Sequence, residues 1–331
     1  MRRLRGLPPV IGLAFALTAA LLNGAAAPDA DFPKHAIKII VGPSPDVFSR
    51  IVAENLQQEW GQSVIVEPRP GAGGKLAVDA VLAAPPDGYT MLFTTPTYTL
   101  NTAMKVATYD LLKDFDAVAI VGLISYALVA HPNVPSKSVA ELVDYAKHNP
   151  GKLNCASAGI GTVPHLACEY LNKVAGVSVV HVPFRDVNSA MMATVSNTTQ
   201  IFFGVATNAK AQIDAGALRG LAVSTAQRSL LLPDLPTMME SGYPTFNMPG
   251  WGGFITPAGA PPSVIAKLNA AIRHVVARPD VRLKLIAAGM EPPPPDGPRA
   301  ARKFITDDIT RWTSFVDTVG VDKLTQDSQQ Q

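Results

Sequence analysis

Only two cysteines, Cys155 and Cys168, occur in 331 residues. His165 is the other metal-ligand candidate beside them, and a structural zinc site wants four ligands, so a zinc-built fold is excluded. No run of basic residues occurs anywhere. Lysine and arginine number 28 against 26 acidic residues, a formal charge of +2, and the electrostatic footprint of a nucleic-acid binder is missing. Heptads, internal repeats and low-complexity tracts are absent, apart from a polar tail from Gln326 to Gln331. No Gly-Lys-Ser/Thr follows the chain's Gly-x-Gly loop, which excludes a phosphate P-loop. Ser157 lacks a Gly-x-Ser-x-Gly elbow, which argues against a serine hydrolase. Long apolar runs are equally scarce. Leu7 to Leu22 forms one, but Pro8, Pro9 and Gly12 leave it short for a spanning helix. With Arg2, Arg3 and Arg5 before it and Ala25-Ala26-Ala27 after it, residues 1–27 read as an export signal. Their removal leaves 25 basic and 26 acidic residues, a net charge of −1.

About three hundred mature residues suffice for two domains with separate cores. Apolar strands such as Ile37 to Val41, Val64-Ile65-Val66 and Thr90 to Thr94 alternate with helical stripes such as Val47, Phe48, Ile51, Val52, Leu56 and Trp60. Phe115 to Ala130 reads as two strands meeting, and Ser138-Val139-Ala140-Glu141 as a capping box. Helices are expected near 263–277 and 298–317, joined by the rigid Pro292 to Pro295 connector. The alternation implies parallel sheets with helices on both faces, which bind ligands beyond the carboxyl ends of their strands. Three helix-opening loops fall there, at 42–46, 71–75 and 158–162.

The most informative of them runs from Cys155 to His165. A strand ending at Ser157 passes through Gly159 and Gly161 into a helix with the stripe Leu166, Tyr170, Leu171 and Val174. Unpaired backbone N–H groups and the positive end of a helix dipole make an anion site without any cationic side chain. Thr162 is placed to cap the helix, and Pro164 falls in its first turn. Cys155 and Cys168 lie on that strand and that helix, where a bridge and a pair of buried free thiols are both open. Arg185 beside Asp186 reads as a solvated pair before it reads as a carboxylate fork, and Lys75 is expected to face water. His165 reads as a helix-start or packing histidine. Trp251 among glycines reads as a hinge wedge.

At this point the chain resembles the receptors of tripartite tricarboxylate transporters, the Bug-type periplasmic solute-binding proteins. The resemblance rests on Glu67-Pro68-Arg69-Pro70-Gly71-Ala72-Gly73-Gly74, Ala84-Pro85-Pro86-Asp87-Gly88-Tyr89-Thr90 and Pro150-Gly151-Lys152-Leu153-Asn154. It rests also on Ala156-Ser157-Ala158-Gly159, Gly161-Thr162 with His165-Leu166-Ala167, His181-Val182-Pro183-Phe184 and Leu232-Pro233-Asp234-Leu235-Pro236-Thr237. It implies an α/β, two-lobed clamshell of the type II periplasmic-binding-protein kind, each lobe a sheet flanked by helices. One lobe would hold 28–127 with 250–331 and the other 128–249, hinged near 125–130 and 245–252. It further implies a small organic carboxylate held by Ser44, Thr95, Ser157, Ala158, Gly159, Gly161, Thr162, Phe184 and Gly204. No cofactor, metal or catalytic group is implied. The partner would be the permease subunits of a tripartite tricarboxylate-type transporter, and the receptor a periplasmic monomer. An orphan periplasmic ligand sensor for a membrane signalling protein, or a receptor with altered or lost ligand binding, is the alternative.

Three departures from the family pattern stand out. The Gly42-Pro43-Ser44-Pro45-Asp46 loop is shorter by about four residues, Gly204 stands where an acid is usual, and Asp186 replaces a glycine. Gly204 removes a carboxylate that would bind a ligand amine, so plain di- or tricarboxylates or aromatic acids are expected in preference to amino acids.

Overall fold

The computed structural model describes residues 31–42, 46–292 and 297–319. The export signal, the Gln326 to Gln331 tail, Ser44 and most of the Pro292 to Pro295 connector therefore lie outside the described residues. No helix among them is long and apolar enough to cross a membrane.

The first sheet is built from β1 (Ile37–Val41), β2 (Val64–Pro68), β3 (Thr90–Thr94), β4 (Phe115–Ile124), β10 (Gly250–Pro257) and β11 (Met290–Glu291). Their spatial order is β11-β4-β10-β3-β1-β2. Around it lie α1 (Val47–Trp60), α2 (Lys75–Leu82), α3 (Pro96–Ala103), α8 (Pro262–Ala277), α9 (Pro279–Ala288) and α10 (Pro298–Val319). The second sheet holds β5 (Tyr126–Ala130), β6 (Asn154–Ser157), β7 (Val180–Pro183), β8 (Ile201–Val205) and β9 (Arg219–Val223), in the order β7-β6-β8-β5-β9. Its helices are α4 (Val139–His148), α5 (Val163–Ala175), α6 (Val187–Val195) and α7 (Ala206–Asp214).

Strand periodicity explains why both sheets are covered on two sides. In β1, Ile39 and Val41 enter one core with Phe48, Val52 and Leu56, while Ile40 enters the other with Val78 and Leu92. The second sheet divides in the same way: Leu128, Ile201 and Phe203 face α5, and Val129 and Phe202 face α6 and α7. The capping box forms at α4, where Glu141 N–H donates to Ser138 Oγ at 3.2 Å. The Glu141 carboxylate accepts from Lys137 N–H rather than from the cap residue itself.

Neither sheet is all-parallel, contrary to the expectation from strand–helix alternation. β10 runs antiparallel between β3 and β4, and β5 antiparallel between β8 and β9. The reason is the crossover. β4 leaves the first sheet at Ile124, and Tyr126 opens β5 of the second with only Ser125 between them. The chain returns through 224–249 into β10, and the two crossings lie side by side. Ser224 N–H donates to Tyr126 O at 2.8 Å, and Met248 N–H donates to Ser224 O at 2.8 Å. A Cβ on Gly250 would stand 2.9 Å from the Tyr126 ring and 3.0 Å from Ile124 Cβ, so only glycine permits this approach.

One polar tie joins the lobes beside the crossing, and a second fixes α10 within the first lobe. Glu291 Oε1 on β11 accepts from Ser229 Oγ at 2.6 Å, Leu230 N–H at 3.1 Å and Ser125 Oγ at 3.2 Å. The second centres on Asp308 of α10, which is 4% exposed. Its Oδ2 accepts from Thr99 Oγ1 at 2.6 Å, Trp251 Nε1 at 2.9 Å and Trp312 Nε1 at 3.1 Å. Its Oδ1 accepts from the Arg311 guanidinium. Trp251 is thus no hinge wedge but a fully buried residue of β10 anchored to α10. Trp312 and Val316 continue α10 into the core of the second lobe, beside Phe246 and Leu166.

Cys155 of β6 and Cys168 of α5 are bridged, with a sequence separation of 13. Both are buried, and the bond ties together the strand and the helix that flank the glycine loop. Closing a loop of that length restricts the unfolded chain. The Cys155→Ala/Cys168→Ala variant is therefore expected to lose about 3 kcal/mol of stability. Urea denaturation of the oxidised parent and the variant checks this, and equal midpoints would contradict it.

Candidate functional site

The loop between Ser157 and α5 is held by its own polar groups, and that changes which N–H groups are left for a ligand. Gly159 and Gly161 adopt φ of 113° and 77°, a region in which a side chain is strained. Gly159 N–H donates to Ser157 Oγ at 3.1 Å, and Gly161 N–H donates to His165 Nδ1 at 3.2 Å. Thr162 N–H points back to Gly159 O at 3.4 Å. The glycine donors expected to face outward are consumed inside the loop. In the loop and the first turn of α5, the N–H groups of Ala158, Ile160, Val163 and His165 have no acceptor among the described residues.

Thr162 also departs from expectation. It is the N-cap residue, with φ −90° and ψ 157°, but its side chain makes no capping bond. Its Oγ1 donates to Gly159 O at 2.7 Å instead. The helix start therefore keeps its free donors and its positive dipole end, which is what an anion requires.

Two histidines hold the loop from behind. His181 of β7 lies beside Cys155 in register, and its ring centroid lies 4.1 Å from that of His165, with the two planes tilted by 37°. His181 Nε2 lies 2.6 Å from Ser157 Oγ. Burial, and then the neighbouring His181, lower the His165 pKa to about 3, and burial lowers that of His181 to about 4. Both rings are neutral near pH 7, as His165 Nδ1 must be to accept from Gly161 N–H. His181 was legible only as a letter of the His-Val-Pro-Phe motif; its register with Cys155 gives it a role.

His165, Glu169 and His181 bring ligand-type atoms within 4.8 Å of one another, a set that the zinc argument from sequence did not foresee. Burial raises the Glu169 pKa. A metal does not suit this donor set. Gly161 N–H occupies the Nδ1 lone pair of His165, so its Nε2 carries the proton and offers no lone pair. Nor is Ser157 an accessible nucleophile. It is fully buried, and its oxygen also contacts both the N–H and the carbonyl of Gly159.

The other expected contacts divide between the lobes. Ala158, Gly159 and Thr162 are half-buried on the loop, and Gly161 is buried where a Cβ would stand 3.1 Å from Met104 Cε. Phe184 follows β7; its N–H donates to Ser157 O at 2.9 Å and its ring packs against the core of α6 and β8. Gly204 is brought to the end of β8 but turned away from open space. A Cβ there would meet Met191 Cε at 2.8 Å and the Phe202 ring at 3.0 Å, so the place of a side chain is filled by the core. Thr95, on the first lobe, is the uncapping N-cap of α3.

Cations around the loops are already partnered within their own lobe. Arg50 pairs with Asp46 at 2.7 Å, Lys75 with Asp79 at 2.5 Å, and Arg69 with Glu67. Arg185, 87% exposed, pairs with Asp186 at 3.0 Å. What the site offers is neutral backbone donors beside a helix start.

The family profile for the tripartite tricarboxylate transporter family receptor matches residues 48–321. The chain belongs to this receptor family. BugT of Bordetella pertussis is 32% identical over 306 residues, covering 90% of this chain and 94% of BugT. Among solved structures, R. palustris Rpa4515 with adipate is 26% identical with a TM-score of 0.80, covering 87% of this chain and 98% of that one. The periplasmic binding protein BugD is 28% identical with a TM-score of 0.78, covering 88% of this chain and 99% of BugD. The tripartite tricarboxylate receptor family thus accounts for the two flanked sheets as a periplasmic-binding-protein fold. The chain is a solute-binding receptor of transport systems.

Proposed function

We propose that this receptor captures a small organic carboxylate in the cleft between its lobes, outside the cytoplasmic membrane, and delivers it to a permease of the tripartite tricarboxylate type. The observation that carries the reading is the start of α5, where four backbone N–H groups lack acceptors and no cation stands in for them. Adipate in the related Rpa4515 structure supports the same ligand class. The moving units are 28–127 with 250–331 against 128–249, and the mature protein is a monomer that begins near Pro28. There is no chemical step: ligand binding closes the lobes, and the permease distinguishes closed from open.

Ligands without an amine are preferred, because the free N–H donors and the positive helix end at the α5 start suit an anion rather than an ammonium group. A thermal-shift screen of the mature protein across carboxylates and amino acids tests this. Saturation at a hundred times Kd stabilises by about 2.7 kcal/mol, a shift of several degrees. Stabilisation by carboxylates is the expected result. Stabilisation by amino acids alone, or by nothing in the screen, overturns the proposal.

A further inference from the structure

The Cys155–Cys168 bridge closes a ring around the whole start of α5. Inside that ring lie the N–H groups of Ala158, Ile160, Val163 and His165, which have no acceptor among the described residues. It also contains both inner acceptors of the loop, Ser157 Oγ and His165 Nδ1. The two ends of the ring are held differently. Cys155 stands inside the second sheet, paired with His181 of β7 on one side and Ile201 of β8 on the other. Cys168 sits in the second turn of α5, with its Sγ 3.7 Å from Ala156 O. The bridge therefore ties the helix to a strand that is anchored from both sides.

Periodicity puts the bridge directly behind the loop. Strand alternation places Cys155 and Ser157 on one face of β6, and one helical turn places His165 and Cys168 on one face of α5. All four are buried. Each cysteine is thus one same-face step from an acceptor that shapes the loop: Ser157 Oγ, which takes Gly159 N–H, or His165 Nδ1, which takes Gly161 N–H.

What the helix start lacks gives the bridge its use. A helix start is ordinarily fixed by a side-chain cap, and Thr162 provides none. Pro164, at the second helical position, has no N–H, so a cap from Thr162 would take the N–H of His165. Capping would fix α5 by removing one of the donors that an anion needs. A covalent tie one turn further along fixes the helix and leaves every one of these N–H groups free. The glycines at 159 and 161 supply no stiffness of their own.

We propose that the Cys155–Cys168 bridge is a positioning device for ligand capture, which replaces the missing cap and holds the free N–H groups of the α5 start in their binding arrangement before the ligand arrives. This rests on the reading of the α5 start as the carboxylate site. The bridge touches no ligand; it acts through Ser157 and His165.

Two measurements on the mature protein separate this role from stabilisation alone. The variants are Cys155→Ala/Cys168→Ala and, as a control, Leu142→Ala, a truncation on α4 in the same core. In the double variant the Gly159 and Gly161 amides are expected to exchange at least tenfold faster by NMR, and adipate affinity by calorimetry to fall at least fivefold. Leu142→Ala is expected to lose stability yet keep both within twofold of the parent. Should the double variant fail to fold, Cys155→Val/Cys168→Ala, which refills part of the buried volume, carries the same two measurements. Unchanged exchange at the two glycines overturns the proposal, and so does adipate affinity within twofold of the parent. Equal losses in Leu142→Ala also overturn it, because stability would then be the whole effect. A parent that does not bind adipate removes the α5 reading, whatever the exchange of the glycines, and this role falls with it.

Discussion

Replacing Asp308 by alanine is expected to destabilise the protein by about 3–5 kcal/mol, the range for removing one partner from a buried charged network. The argument is one of partners left behind. Asp308 Oδ2 alone accepts from two indoles and a threonine hydroxyl, at 2.9, 3.1 and 2.6 Å. Alanine would leave Trp251 Nε1 and Trp312 Nε1 buried without an acceptor, would leave Thr99 Oγ1 with Pro96 O alone at 3.0 Å, and would release Arg311, whose guanidinium donates to Oδ1. Each neutral donor so stranded costs about 1–3 kcal/mol before relaxation. Relaxation and water entry recover part of that sum, which is why the expected total stays near the lower bound of simple addition. The three donors come from β10, α10 and α3, so the loss falls on the packing of α10 against the rest of the first lobe. Guanidinium denaturation is the measurement, with Asp308→Asn as the companion. Asparagine keeps one acceptor oxygen and should lose less than alanine. A loss below about 1 kcal/mol for alanine would show the network to be energetically neutral.

Local rules were readable wherever short-range chemistry decides the outcome. The capping box at Ser138 and Glu141, the strands β1 to β3 with their alternating burial, and the helix opened by Gly161 and Pro164 all follow from neighbouring residues. The Arg185–Asp186 pair is solvated, as adjacent opposite charges suggest. What sequence did not reveal depends on long-range packing. Gly250-Trp251-Gly252-Gly253-Phe254 looks like a flexible joint by composition, yet it is a fully buried strand. Its glycines are there for close approach: a Cβ on Gly252 would meet the Phe93 ring at 2.5 Å, and one on Gly253 would meet Ala119 O at 2.7 Å. The helix α9 went unread because its ten residues carry almost no one-sided apolar stripe, with Val281 and Leu285 buried and Leu283 exposed.

The candidate site was legible as a place and only partly as a set of atoms. The strand–glycine–helix pattern located the loop that opens α5, but not the internal acceptors that consume its glycine N–H groups. Those acceptors, Ser157 Oγ and His165 Nδ1, depend on a buried neutral imidazole pair brought together by the β6–β7 register. Gly204 shows the converse. It lies near the end of β8, but a side chain there would be turned toward Met191 and Phe202.

Gly161→Val is expected to abolish tight carboxylate binding, with at least a hundredfold loss of affinity, or about 2.7 kcal/mol. Two independent obstacles produce this. The backbone at Gly161 has φ 77°, and a β-branched residue there is strained by about 1–3 kcal/mol. The new Cβ would also stand 3.1 Å from Met104 Cε, forcing α3 of the first lobe away from the loop. Relieving either obstacle by rotating the backbone breaks the Gly161 N–H bond to His165 Nδ1 and re-aims the free N–H groups of Ala158, Ile160 and Val163. Affinity therefore suffers through donor geometry even though Gly161 itself donates nothing outward. Gly161→Ala with Met104→Ala separates the two causes. Removing the methionine should restore room but not the left-handed backbone, so affinity should recover only in part. Calorimetry with adipate decides. Parent-like affinity in Gly161→Val would mean that the start of α5 does not hold the ligand, whereas full recovery in the double variant would assign the effect to Met104 alone and leave the backbone donors without a role.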